Sequence, residues 1–137
     1  MLPVRSLFIA FTLTTALLGC SSVSNPACKM GEQQANNTLL YFGTKKPDGT
    51  VTDQQWLDFI KTVVTPKFPS GFTVWQASGQ WLSVQGTLIA EKTYILNIIH
   101  SAEKGAENSL QAIVSEYQSR FHQEAVLRVT HQVCIAW

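Results

Sequence analysis

The chain has 137 residues, 45% of them hydrophobic and 14% charged, with ten Lys and Arg against nine Asp and Glu. A formal charge of +1 excludes an electrostatic grip on nucleic acid or on anionic lipid, because both need a clustered basic excess. The length suits one domain around a single core.

The first segment, MLPVRSLFIAFTLTTALLGCSS, carries one charge, Arg5, ahead of an apolar run that stops at Gly19-Cys20. A basic end followed by a short apolar stretch is the layout of a secretory signal. The run falls short of the roughly 20 apolar residues that span a bilayer. Leu17-Leu18-Gly19-Cys20 resembles the bacterial lipobox, in which the cysteine thiol is lipid-modified and the chain is cut just before it. Residues 1–19 are therefore expected to leave as a lipoprotein signal peptide, with Cys20 kept as the lipid anchor and the membrane as the first partner. Ser21 after the cysteine points to the outer membrane of a bacterial envelope, facing the periplasm. An ordinary signal peptide with an incidental cysteine is the alternative.

Residues 20–37 are polar and poor in large apolar groups, the composition of a tether. The folded domain is expected over residues 38–137. TLLYFG (38–43) reads as a short strand, and Pro47-Asp48-Gly49 as a turn. Thr52 with Gln55 forms a capping-box pattern ahead of a helix whose apolar positions are Trp56, Phe59, Ile60 and Val63, with Pro66 and Pro69 expected to end it. FTVWQASGQW opens a second strand over 72–82, SVQG is a hairpin connection, and a third strand runs to about Ile99. Leu110, Ile113, Val114, Tyr117 and Phe121 stripe a second helix. The last strand places Leu127, Val129, His131, Val133 and Ile135 on one face.

The order β-α-β-β-α-β predicts an α+β, ferredoxin-like fold, with one antiparallel sheet carrying both helices on one face. In strand order 4-1-3-2 the last strand is an edge beside the first. Cys28 and Cys134, the two cysteines left after lipidation, then come within reach, and a bridge would close a loop of about 100 residues, worth at most ~4.7 kcal/mol. Two free thiols are the alternative.

The blocks LLYFG, PDG, VVTPKFPSGFTVWQASGQW and YQSRFHQEAVLRVTHQVCIAW together resemble the bacterial family catalogued as domain of unknown function 3574. The resemblance covers about residues 38–137. It implies a small exported or lipid-anchored envelope protein with a single compact domain, and it brings no catalytic residues.

No histidine pair has metal-ligand spacing, and the H-x-E at His122–Glu124 lacks the P-C-x-x-C that zinc deaminases require. No phosphate-binding loop or nucleophile elbow is present, so neither metal nor cofactor is expected. Two clusters remain. Trp75 and Trp81, with Gln76 and Gln80, offer aromatic faces and amide donors suited to flat organic groups. If Tyr41 and Trp75 both point to the helix-free sheet face, that face is apolar enough to be covered by the tether, by a second subunit or other envelope protein, or by a ligand. The other cluster is FHQEAVLR, where Glu124 is a candidate base and Arg128 a candidate anion clamp. Both also have structural roles open to them, in the turn and in an ion pair. A non-catalytic binding or interaction module on the open sheet face is the leading expectation. The alternative is a small envelope enzyme acting on a small or aromatic metabolite through Glu124 and Arg128, assisted by His122. Exported residues 21–137 are expected to weigh two hydrogens less than the all-thiol chain by native mass spectrometry.

Overall fold

Alternation along TLLYFG builds the strand at the centre of the molecule, in the computed structural model, which describes residues 27–137. The expected signal peptide at residues 1–19, the expected anchor Cys20 and residues 21–26 of the expected tether lie outside the described residues. Strand β1 spans Gln33–Gly43 and is followed by a minimal hairpin, β2 (Lys45–Lys46) and β3 (Gly49–Thr50), on the Pro-Asp-Gly turn. Helix α1 covers Asp53–Phe59, continues through a π-turn at Ile60–Val64 and closes with α2 at Thr65–Lys67. Strands β4 (Thr73–Leu82) and β5 (Leu88–His100) form a hairpin, helix α3 covers Lys104–Phe121, and β6 runs Leu127–Ile135.

The sheet order is β4-β5-β1-β6 with every neighbouring pair antiparallel. That is the ferredoxin-like arrangement expected from the element order, with the last strand at the edge beside the first. One face is covered by the helices. There Leu40, Phe42, Tyr94, Leu96 and Ile98 meet Trp56, Phe59 and Val64 from the first helical segment, and Leu110, Ile113, Tyr117 and Phe121 from α3.

Local sequence explains the ends of the elements. Thr52 Oγ1 accepts from the Gln55 backbone N–H while Gln55 Oε1 accepts from the Thr52 N–H, so two otherwise orphaned donors at the start of α1 are satisfied. Pro66 does not end this helix as expected. The Thr65 N–H and hydroxyl both bond the Ile60 carbonyl, and this wider turn opens the ladder ahead of the proline ring. The helix therefore reaches Lys67, and Phe68 buries itself beyond it.

β1 also begins five residues earlier than the strand expected from apolar content. Gln33–Asn37 are polar, yet they pair with Ile135–His131 of β6. Pairing partners, not hydrophobicity, make this segment a strand. The Cys28–Cys134 disulfide holds it there, with Cα atoms 5.5 Å apart across a sequence separation of 106. Among the described residues no helix is long and apolar enough to cross a membrane.

Candidate functional site

Because side chains alternate along a strand, the register assigns every residue to the helix-covered face or to the open one. Tyr41 lies opposite Ile95 and Leu127, Ile95 opposite Trp75, Gly43 opposite Thr93, and Gly79 opposite Glu91. Tyr41, Trp75, Trp81, Glu91, Thr93 and Leu127 therefore share the open face. Trp75 is 41% exposed and Leu127 61%, so large apolar groups stand on this side without cover. Gln80 and Gln76, grouped with the tryptophans in the sequence reading, alternate to the opposite side by register, although Gln80 still borders the open-face cavity together with Trp81. Gln76 pairs with Tyr94 of the core and Gln80 with Ala90. Two-residue periodicity separates a Trp from the Gln beside it.

At one end of the open face the sheet dips into a cavity of about 290 Å³. Tyr41, Trp81 and Leu127 supply its apolar walls, Glu91 and Thr93 rise from β5, and the α3–β6 loop at Gln123–Ala125 forms its rim. Hydrogen bonds from Gln118 and Gln123 hold that rim. The Gln118 side-chain amide donates to the Glu124 carbonyl at 3.1 Å, the Gln123 amide to the Lys45 carbonyl at 2.6 Å, and the Gln123 backbone N–H to the Gln118 carbonyl at 3.1 Å. His122 makes the bend possible by adopting a left-handed conformation, φ 52°, at the end of α3.

The Glu91 carboxylate is the most constrained polar group of the cavity. Oε1 accepts from Trp81 Nε1 at 2.7 Å and Oε2 from the Lys45 backbone N–H at 2.6 Å. It can lie there only because residue 43 has no side chain, since a Cβ on Gly43 would stand 2.5 Å from Oε1. A Cβ on Gly79 would stand 2.3 Å from Thr93 Oγ1. Thr93 is 7% exposed, and neither its hydroxyl nor that of Tyr41 has a hydrogen-bond partner among the described residues. Further along the same face, Asn37 Oδ1 and Asn97 Oδ1 are buried without a partner.

On the helix side two carboxylates, Glu107 and Asp53, are paired with cations. Arg128 donates from both terminal nitrogens to Glu107 of α3, each at 2.6 Å. The guanidinium beside it holds the Glu107 carboxyl below the usual carboxylate range. Asp53 accepts from Lys92 and, at 2.7 Å, from the Tyr94 hydroxyl, and these bonds, Lys92's first, lower its pKa too. A cavity of about 380 Å³ beside Asp53, Trp56, Trp75, Gln76 and Tyr94 has its one carboxylate, Asp53, engaged in this way. A shallow depression of about 620 Å³ over Gln76–Gln80 and Ala90–Lys92 is open strand surface. Burial raises the Tyr117 phenol, whose hydroxyl donates to the Gly43 carbonyl at 2.8 Å.

The structure does not bring Glu124 and Arg128 together. Glu124 stands at the cavity rim, whereas Arg128 alternates to the helix face and its fork is filled by Glu107. The pair named for an acid–base and anion-binding site is split by strand alternation. Glu91, absent from the sequence reading, is where the chemistry converges. Its signal was present as a lone carboxylate on the apolar Ile89, Thr93, Ile95 side of β5. Cys28, Glu32 and Cys134 bring potential metal-ligand atoms close, but both sulfurs are joined in the disulfide.

A family model described as protein of unknown function (DUF3574) matches residues 37–137. No curated protein matches the chain. Among solved structures, the chain is similar to a phage SAM lyase in complex with S-methyl-5'-thioadenosine, with TM-score 0.57 and 16% identity over 85% of this chain and 97% of that one. The apo state of a phage SAM lyase gives TM-score 0.56 and 19% identity over 83% and 97%. CutA from Synechococcus elongatus gives 0.51 and 11% over 77% and 83%. At these identities the likeness is one of fold.

Gly43→Ala is expected to expel the Glu91 carboxylate from its seat, shifting the Trp81 indole N–H resonance and costing about 1–3 kcal/mol in urea unfolding. Gly105→Ala, where a Cβ meets nothing within 4 Å, is the control and should be neutral or stabilising by up to ~1 kcal/mol.

Proposed function

The chain belongs to the DUF3574 family, and from that premise we propose that it is a lipid-anchored envelope protein whose domain binds a small organic molecule in the cavity on its open sheet face. The observation that carries this reading is the convergence, in one cavity, of two aromatic walls, a carboxylate held by two hydrogen bonds, and unpaired hydroxyls. Ligand sites are concave, mostly apolar and equipped with a few placed polar groups, and this cavity matches that description. Its volume puts the ligand at the small end of the usual range of about 300–1,000 Å³. The phage SAM lyase carries S-methyl-5'-thioadenosine on a similar arrangement of elements, which supports small-molecule binding by analogy of fold alone.

The anchor rests on the lipobox-like Leu17-Leu18-Gly19-Cys20, and the polar residues after it would set the domain off the outer membrane on its periplasmic side. Binding without turnover is the reading we take, because Arg128, the anion clamp an enzyme would use beside Glu124, is engaged by Glu107.

A second reading, self-association across the rest of the open face, is favoured by the buried, partnerless oxygens of Asn37 and Asn97 and by exposed Trp75. Native mass spectrometry of the protein released gently from membranes separates the two. A monomer carrying a discrete small-molecule mass that is lost in Tyr41→Ala and Trp81→Ala supports the cavity; a dimer without added mass supports self-association and sinks the ligand reading. For the anchor, Cys20→Ser is expected to move the protein out of the membrane fraction and leave it unlipidated. Unchanged membrane retention would show the anchor reading to be incorrect.

A further inference from the structure

The charge of the cavity defines its ligand more narrowly than its shape does. Its lining carries two carboxylates, Glu91 and Glu124, and no lysine, arginine or histidine side chain. Neither carboxylate has an ion pair among the described residues. The two groups that bond Glu91, an indole N–H and a backbone N–H, are neutral. They aim the carboxylate without cancelling its charge, and each oxygen keeps a lone pair for a further donor. Beside it stand the rings of Tyr41 and Trp81, whose faces attract cations. Thr93, nine-tenths buried and unpartnered, adds a hydroxyl that has nothing in the domain to bond.

Lysines and arginines elsewhere do not offset this. Lys92, on the strand that carries Glu91, alternates to the helix side and pairs with Asp53, and Arg128 pairs with Glu107. Lys46 is held by Asp48 and Arg120 by Glu116. These four cations are paired. Lys45, which has no ion pair among the described residues and whose backbone N–H bonds Glu91, does not line the cavity, so no cationic side chain there offsets the two carboxylates.

We propose that the cavity takes a small organic cation, an ammonium group on an aromatic or alkyl body, with Glu91 as its anchor and Tyr41 and Trp81 against the body. This rests on the cavity being a ligand site and adds the chemical class. A free amine fits better than a phospholipid headgroup, whose phosphate would bring negative charge against Glu91 and Glu124.

The test uses the full chain in dodecyl maltoside micelles, with protein-free micelles subtracted, and calorimetric titration of three probes of matched shape: 2-phenylethylamine, 2-phenylethanol and 3-phenylpropionate. The amine is expected to bind at least about tenfold more tightly than the alcohol, and the acid not to bind. Glu91→Gln should erase the preference for the amine while leaving the affinity for the alcohol. Because Glu91 also bonds Trp81 and Lys45, Glu124→Gln serves as the second variant, expected to lower the preference severalfold with those bonds intact. Equal binding of amine and alcohol, stronger binding of the acid, or an amine preference that survives both substitutions overturns the cation assignment and leaves the cavity a ligand site. Binding of none of the three at millimolar concentration, or probe binding unchanged by Trp81→Ala, overturns the cavity reading itself and the cation with it.

Discussion

The packing of Phe42 is the constraint on which the rest of this structure depends. Its ring lies 4.6 Å from Tyr117, 5.2 Å from Trp56 and 5.9 Å from Phe59, so both helical segments are tied to the central strand through one side chain. Trp56 in turn stacks on Tyr94 of the neighbouring strand at 4.3 Å with rings nearly parallel. Edge-on and stacked contacts of this kind add about 0.5–1.5 kcal/mol each beyond the area they bury. With Phe42 fixed inward, Tyr41 and Gly43 must face outward. A one-residue slip of β1 would put Tyr41 in the core and remove the glycine from beneath Glu91.

The two sides of the sheet differ in how they treat charge. Toward the helices, carboxylates meet cations: Glu107 with Arg128, Asp53 with Lys92. These pairs are partly exposed, and such pairs contribute little, typically 0–1 kcal/mol. Their larger effect is to occupy the cations. On the open side Glu91 is bonded only by neutral N–H groups, and Glu124 is placed by its backbone and by the bends around His122. A polar line also crosses the helix side of the sheet, from Arg128 to Thr130 at 3.3 Å and on through Thr38 to His100 at 2.9 Å each. It satisfies groups that β1 would otherwise bury unpaired.

Much of the fold was legible. Periodicity found both helices and their buried stripes, and Leu110, Ile113, Tyr117 and Phe121 are all in the core. The capping box at Thr52 and Gln55 formed as its spacing predicts. The β-α-β-β-α-β order led to the sheet topology, and that topology to the disulfide. What was missed lay where partners outweigh local propensity. Gln33–Asn37 have the composition of a tether but become strand because β6 runs beside them. Pro66 has the composition of a helix end, but the π-turn ahead of it lets the helix pass.

The sequence by itself determined the helical stripes, the strand alternation and the aromatic content of the open face, because each is a local pattern repeating at the period of its own element. It also determined which residues near the cavity carry charge. Only the tertiary structure decided which of those charges remain available. Arg128 and Glu124, four residues apart, looked like one site, yet alternation sent the guanidinium to Glu107 on a helix 21 residues upstream. Glu91 drew no notice in its own strand and becomes the anchor of the cavity through Trp81, ten residues before it, and Lys45, 46 residues before it. Ion pairs and hydrogen bonds form between neighbours in space, and those neighbours are chosen by the register of the sheet.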